Sequence, residues 1–569
     1  MGDINKKEER SFDAIVIGSG ISGGWAAKEL TEKGLRTLVL ERGRDVKHIK
    51  DYPTTNKYPW EFEHRGEVPL AIQKENPVVN RCYAFREDAM HFFVKDREHP
   101  YIQEKPFDWI RGYQVGGKSL LWARQTQRWS DFDFEGPARD GFAVDWPIRY
   151  KDIAPWYSHV EKFAGISGNK DGLPNLPDGE FLPPIELTCV ENYFKDFISK
   201  KYNDRHVIYA RCAHLTQPQQ VHLDQGRAQC QNRDLCQRGC PFGGYFSSNA
   251  STIPWAERTG KLTLRPFSVV HSIIYDEAKG KATGVRVIDT NTKDVIEFFA
   301  PIVFVNAAAL NTNLILLNST SRRFPNGLGN DSGVLGKYVA FHNYSGRISA
   351  EYHGFKEFTT DGRRPTSAYI PRFRNIYKQE TNFLRGYAAG FGTSRGIERN
   401  SDGFGESLKR KLLSSKDYGP WHVGSHMMGE TIPKEANHVR LSTDQKDEWG
   451  IPLLVTSIDY DDNDRRMRQD FFDQLSEMYT AAGFTNIKTV ESSQAPGLDI
   501  HEMGGVRMGR DPKTSLLNEW NQMHACKNVF VTDGACMTST STQNPSLTYM
   551  ALTARAVDHA VNEKKKGNI

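Results

Sequence analysis

The sequence predicts an α/β fold, α+β overall, with a Rossmann-like nucleotide-binding domain beside a second region of alternating strands. Three observations carry this. The chain opens with a strand, a glycine turn, a helix, a strand and an acid; residues 262–305 and about 335–495 carry strand-like runs; and 569 residues are too many for one core.

The opening unit is the most regular. An apolar run from Phe12 ends at Gly18, a helical pattern opens near Ser22 and continues to about Lys33, and Thr37 to Leu40 close on Glu41. Gly18 permits the tight turn, Gly20 lets backbone approach a pyrophosphate, and Gly23 lets helix and strand pack closely. The helix N-terminus offers amide donors and partial positive charge to phosphates. Glu41 lies about 20 residues beyond the glycines, where a carboxylate accepts from ribose hydroxyls. The N-terminal position and the following Arg42-Gly43 favour FAD over NAD.

Bulk properties exclude several classes. With 38% hydrophobic and 25% charged residues, the composition is that of an ordinary globular protein. A net charge of +4 makes no case for nucleic acid, and the Lys564–Lys566 run reads as a solvated terminus. No stretch reaches the roughly 20 apolar residues of a membrane helix; the best, Ile302 to Leu317, is broken by Asn306, Asn311 and Asn313. The polar start, Met1 to Arg10, has no apolar run of a secretory signal.

The other informative block joins His501-Glu-Met-Gly-Gly505, Val529 to Gly534, and Gln543-Asn544-Pro545. Val529 to Thr532 reads as a short buried strand running into the turn Asp533-Gly534. Asn544-Pro545 reads as a helix start, with Asn as cap and Pro at the first helical position. Such an N-terminus stabilises negative charge placed before it.

On these residues the sequence resembles the glucose–methanol–choline (GMC) oxidoreductases, closest to the branch with pyranose oxidase and bacterial sugar dehydrogenases. The likeness continues in Val115-Gly116-Gly117-Lys118-Ser119, in Asp145 to Ile148 and in Val305 to Ala309. It implies a Rossmann-like FAD-binding domain built from 1–47, 110–130, 255–334 and 500–569. A discontinuous substrate domain on an antiparallel or mixed sheet would take 48–109, 131–211 and 335–499, leaving 212–254 as a cysteine-rich loop. It also implies that Gly116, Gly117, Ser119, Val270, Ala308, Asp533, Gly534, Asn544 and Pro545 join Gly18, Gly20, Gly23 and Glu41 in holding FAD.

The same resemblance makes His501 and Asn544 the catalytic pair. An imidazole near neutral pKa suits removal of a hydroxyl proton while the carbinol hydride moves to flavin N5, and an amide can orient the oxygen. In pyranose oxidase a His before the Trp matching Trp122 carries the flavin covalently. Leu121 stands there, so FAD is expected to be non-covalent. His342, Trp421, His422, His426 and Glu430 are candidates for the pocket wall, and the strand-like runs Gly346 to Ala350 and His438 to Leu441 for the sheet roofing the site.

Between the two blocks lie Cys230, Cys236 and Cys240, spaced C-x5-C-x3-C-P. Short glycine-rich loops with Pro after the last Cys hold iron–sulfur clusters. Three close thiols point to a 3Fe-4S cluster, with Cys212 a more distant fourth candidate. A zinc site, a disulfide with a spare thiol, or three unrelated cysteines stay open, although zinc's paired arms are missing. Cys82, Cys189, Cys526 and Cys536 read as buried small hydrophobes.

The spacing resembles that of cluster-bearing catalytic subunits of FAD-dependent sugar dehydrogenases. It implies a sugar or glycoside substrate, oxidised at a secondary hydroxyl and most closely at C3, as in glucoside 3-dehydrogenases. Electrons would leave through the cluster to a c-type cytochrome. A small partner subunit with the export signal would carry the chain to the periplasm, the alternative being the cytoplasm. The competing readings are a glucose or gluconate dehydrogenase, an oxygen-using pyranose- or sterol-type oxidase, and a flavin-binding sensor or structural subunit, which the joint presence of His501 and Asn544 disfavours.

Overall fold

The computed structural model describes residues 10–360, 364–396, 403–414, 418–492 and 494–569. At its centre five parallel strands run in the order Val529–Val531, Ile302–Val305, Ala14–Ile17, Thr37–Leu40, Leu262–Arg265. The first four are buried along their whole length. Both faces are covered, so neither face tolerates the polar alternation of a half-exposed strand. Side chains still alternate between two cores. Val16 and Val39 pack with Ala26, Leu30 and Val557 of the helices Ile21–Glu32 and Ser546–Lys565, whereas Ile15, Ile17 and Leu38 join Trp146, Val305 and Leu547.

The predicted glycine turn forms as read. Gly18 has φ of 93°, and a Cβ on Gly23 would lie 1.9 Å from the Gly18 carbonyl oxygen. Any side chain at Gly23 would therefore push the helix Ile21–Glu32 off its strand.

The second sheet has seven strands. Thr485–Glu491, Gly346–Tyr352, Trp421–Glu430, Tyr387–Ser394, Ala368–Ile370 and Ile208–Tyr209 follow in that order, and His342–Asn343 pairs beside Trp421–Glu430. One face carries Ile348, Phe391, Val423 and Met427 against Met467, Phe471 and Leu475 of the helix Asp462–Ala481. That helix is capped reciprocally: the Asp461 carboxylate accepts from the Asp464 amide at 3.2 Å, and the Asp464 carboxylate from the Asp461 amide at 3.0 Å. The opposite face turns His426 and Met428 toward the nucleotide sheet.

Two expectations are corrected. His438 to Leu441 is a strand, but His438–Lys446 belongs to a separate three-stranded sheet with Pro452–Ser457 and Ile102–Gln103. Its apolar residue Val439 packs with Leu454, Phe107 and Phe341, a core the roof sheet does not share. Asn544 and Pro545 each stand one position before their expected helix roles. The helix begins at Ser546, Pro545 is its cap residue, and no side chain caps it. The Asn544 amide is engaged elsewhere, as described below. Among the described residues, no helix is long and apolar enough to cross a membrane.

Candidate active site

A cavity of about 480 Å³ lies where the carboxyl ends of the nucleotide strands meet the inner face of the antiparallel sheet. Cofactor and substrate pockets fall in the range of about 300–1,000 Å³. Crevices at strand carboxyl ends are where open α/β sheets bind ligands. Of the predicted residues, Gly18, Gly20, Glu41, Gly117, Ser119, Val270, Ala308, His501, Asp533, Gly534, Asn544 and Pro545 all line it. Gly23 and Gly116 do not. Gly23 acts through helix packing, and Gly116 is hemmed in by Asn249. The Glu41 carboxylate accepts from the Ser19 and Gly43 amides and from the Ser19 hydroxyl.

His501 and Asn544 meet. The Asn544 amide nitrogen lies 3.2 Å from His501 Nε2. On the far side of the ring, His501 Nδ1 is 2.9 Å from His342 Nδ1, and His342 Nε2 is 3.1 Å from the Thr540 carbonyl oxygen. The chain is aligned here by backbone bonds: Ala340 and Met503 exchange amide bonds at 2.8 and 2.9 Å, and the Gly504 amide reaches the Gly534 carbonyl at 2.9 Å. Burial holds His501 well below the ordinary histidine value, with His342 and Lys118 adding to the effect. This departs from the near-neutral value expected of the ring, because burial disfavours its cationic form. Asp499 is pushed up to about 7 by burial and by nearby Glu502, and Asp533 up to about 6 by burial.

Among the wall candidates only His426 lines the cavity. His342 sits behind His501. Trp421 faces the helix-side core. His422 is exposed near the strand's start. Glu430 is buried between Arg372, at 3.1 Å, and Arg385, at 2.9 Å. The site also holds residues given no role in the sequence: Asp499 and Arg111, outside any motif, and a pair inside the quoted motifs in which Lys118 Nζ lies 2.9 Å from Glu502.

The residues present fit a dinucleotide. Ser22 Oγ, Arg42 Nε, Arg111 Nε, Glu502 Oε1 and Tyr549 OH are buried without a hydrogen-bond partner, and each residue lines the cavity. A Cβ on Gly20 would meet nothing within 4 Å, and the helix behind it has no side-chain cap. Its first amides are thus directed at the cavity, as an anion site needs.

Residues 433–553, which include both His501 and Asn544, match the family model for GMC oxidoreductase. This segment is a GMC oxidoreductase C-terminal domain. The chain is 29% identical to 2-methyl-1,2-propanediol dehydrogenase of Mycolicibacterium austroafricanum, over 96% of this chain and 94% of that one. It is 26% identical to the fructose dehydrogenase large subunit of Gluconobacter japonicus, over 98% and 99%. The crystal structure of pyridoxine 4-oxidase from Mesorbium loti shares the fold, with TM-score 0.58 and 13% identity, covering 97% of this chain and 99% of that one. FAD is the cofactor expected of a GMC oxidoreductase.

The protein carries a second, small pocket lined by Cys230, Cys236 and Cys240 with His214, Leu235 and Tyr245. None of the eight cysteines is in a disulfide. Burial raises Cys230 and Cys240, and the neighbouring thiols add to it. Cys212 is not in this wall; its Sγ lies 3.3 Å from the Ser167 hydroxyl and burial pushes it up to about 12. Cys82, Cys526 and Cys536 are buried as expected, with Cys82 in the cavity wall, but Cys189 is half-exposed because it opens the helix Cys189–Lys201. A zinc ion at ~2.3 Å from each sulfur would hold the sulfurs within about 4 Å of one another. Among the described residues the one triad within 4.8 Å is His342, Asp499 and His501, so the three sulfurs are spread wider than a single ion requires.

The buried histidines set the response to acid. Burial pulls His48, His91, His222, His342 and His426 down to about 4. Their folded values lie below the unfolded value of ~6.5, so their contribution is complete above pH ~6.5 and is lost as pH falls toward 4. Asp464, Asp499 and Asp533, raised to about 8, 7 and 6, act in the opposite sense together with Glu41 and Asp108, but they are outnumbered once the lowered His99, His214 and His501 are added to the five. Thermal melts are expected to show Tm falling steadily from pH 6.5 to 4.5; a flat or rising Tm would contradict the assignment.

Proposed function

We propose that this chain is an FAD-dependent dehydrogenase that oxidises a secondary hydroxyl of a sugar or glycoside, at C3 to give a 3-keto-glycoside. The observation that carries the reading is the contact between His501 and Asn544 at one end of a cavity whose other end has a dinucleotide turn. FAD, when bound non-covalently there, supplies the hydride acceptor. Gly18, Gly20, Glu41 and Val270 would hold its nucleotide end, and Ala308, Asp533, Gly534 and Pro545 the end toward the base. His501 Nε2 takes the hydroxyl proton, and Asn544 keeps the oxygen beside it.

The wall opposite this pair suits a polyhydroxylated ligand. Gln125, Thr366, Tyr369 and His426 face the space, with the Gln125 amide 2.8 Å from the Thr366 hydroxyl. Polar groups of this kind discriminate strongly for hydroxyl-bearing substrates. The name of the fructose dehydrogenase relative supports a sugar, and its being a large subunit supports a small partner. A short diol is the second reading, favoured by the propanediol dehydrogenase likeness.

Cys230, Cys236 and Cys240 are read as ligands of a 3Fe-4S cluster. It would pass electrons to a c-type cytochrome, with periplasmic placement through a signal-bearing partner. Residues 212–254 would form the cluster loop between the FAD and substrate segments.

An anaerobic screen of glycosides and diols for flavin bleaching, with NMR of the products, tests the substrate. Bleaching by glycosides with a 3-keto product is expected. Bleaching by diols alone would favour the second reading, and stoichiometric peroxide under air an oxidase.

A further inference from the structure

We propose that His342 is a positioning residue that fixes the tautomer of His501, so that the ring presents an unprotonated Nε2 to the cavity. The inference rests on His501 being the base. Three hydrogen bonds leave one arrangement of protons. A backbone carbonyl only accepts, so His342 Nε2, 3.1 Å from the Thr540 oxygen, carries a proton. A neutral imidazole has a single N–H, which makes His342 Nδ1 an acceptor. That atom lies 2.9 Å from His501 Nδ1. Two bare nitrogens at this distance would repel, so His501 Nδ1 carries the proton and Nε2 the lone pair. The Asn544 amide nitrogen, 3.2 Å from that Nε2, donates to it, which requires the same tautomer from the other side of the ring.

The rings meet edge-on at 83°, with Nδ1 directed at Nδ1. His342 is fully buried on the short strand His342–Asn343, and its amide donates to Asp499 at 2.8 Å. The other charged groups around the pair are Asp499, 3.9 Å from His501 Nδ1, Lys118 with its partner Glu502, and Arg372 beside His342. Asp499 is too far to accept the Nδ1 proton directly. When the substrate O–H bond breaks, its proton forms an N–H bond at Nε2. The resulting imidazolium keeps its Nδ1–H on His342, and no second proton has to leave. A neutral acceptor replaces the carboxylate that usually orients a catalytic histidine. It sets the tautomer without holding His501 protonated at neutral pH.

The test compares holoenzymes with His342→Leu and His342→Asn, since the Asn oxygen can occupy the position of Nδ1. Histidine-labelled ¹⁵N NMR at pH 7, with His501→Ala identifying the ring, is expected to show protonated Nδ1 and bare Nε2. In His342→Leu that preference should disappear, and the flavin-reduction rate should fall about 10²-fold with KM little changed. His342→Asn should restore both tautomer and most of the rate. If His342→Leu does not fold, His342→Gln replaces it: its oxygen sits at the Nε2 position, so it should stay slow where His342→Asn is fast. The opposite tautomer in wild type, a wild-type rate in His342→Leu, or equal rates for Asn and Gln would overturn the proposal. A His501→Ala enzyme at wild-type rate would instead sink the underlying assignment of the base, whereas a slow His501→Ala beside a normal His342→Leu removes only the role of His342.

Discussion

His501→Ala is expected to bind FAD as the wild type does and to reduce it roughly two to four orders of magnitude more slowly. The residues assigned to the nucleotide end stand on other elements, Gly18 and Glu41 just after the strands Ala14–Ile17 and Thr37–Leu40 and Val270 on the strand Ser268–Asp276, so deleting one imidazole leaves them intact. What is lost is the lone pair on Nε2, and Asn544 offers no substitute because an amide nitrogen is not a base. Losing the ring also strands His342 Nδ1 without a partner at a fully buried position, which costs about 1–3 kcal/mol of stability. A small fall in Tm should therefore accompany the catalytic loss. Stopped-flow bleaching at saturating substrate separates the two, because a folded, yellow enzyme with a slow first half-reaction reports chemistry. A variant that bleached within tenfold of the wild-type rate would remove His501 from the role of base. Asn544→Ala should be milder, since it removes orientation and not the proton acceptor, and the two losses should not add, since both act on one oxygen.

Much of this was legible because backbone demands constrain residue type. Only glycine permits the contact between residue 23 and the Gly18 carbonyl, and continuous apolar runs survive between two covered faces, so Ala14–Ile17, Thr37–Leu40 and Val529–Val531 could each be read as strands, whereas Ile302–Val305 and the partly exposed Leu262–Arg265 were legible only within the run 262–305. The roof sheet was less legible, since alternation marks a strand without naming its partner; His438–Lys446 left for another sheet on that account. The histidine candidates show the same limit. Residues 422, 426 and 430 share one face of the strand Trp421–Glu430, yet only the middle one reaches the cavity, because His422 is exposed at the strand's start and Glu430 is held between Arg372 and Arg385. Trp421 has the opposite parity and faces the helix. His342 could be picked out as a polar residue near a predicted strand, but its contact with His501 spans 159 positions and has no local signature. Asp499, Arg42 and Arg111 lie in loops, where spacing carries no periodic information.

Cys236→Ser should leave sugar-driven bleaching of the flavin near normal while reduction of a cytochrome acceptor falls by at least an order of magnitude. The two pockets are separate, which allows the half-reactions to be split, but they share a wall. Tyr245 lines the cysteine pocket and donates to the Leu120 carbonyl at 3.0 Å, while Leu121 and Trp122 line the large cavity, and the Trp122 indole donates to the Phe246 carbonyl at 2.9 Å. Tyr245 and Trp122 thus tie the walls of the two pockets together. Cys236 is the informative position because its sulfur lies 3.6 Å from His214 Nε2 and its loop carries strained residues, Asn232 and Asp234, at φ of 53° and 54°. Such strain persists where surrounding structure or a bound group imposes it. Serine is nearly isosteric but a poor ligand for iron, so the fold should hold while a cluster would not. Iron and acid-labile sulfide in the purified wild type, both lost in Cys236→Ser together with cytochrome reduction, would bear out the cluster. Wild-type electron delivery by the serine variant would instead reduce the three cysteines to packing, and with them the argument for a protein acceptor.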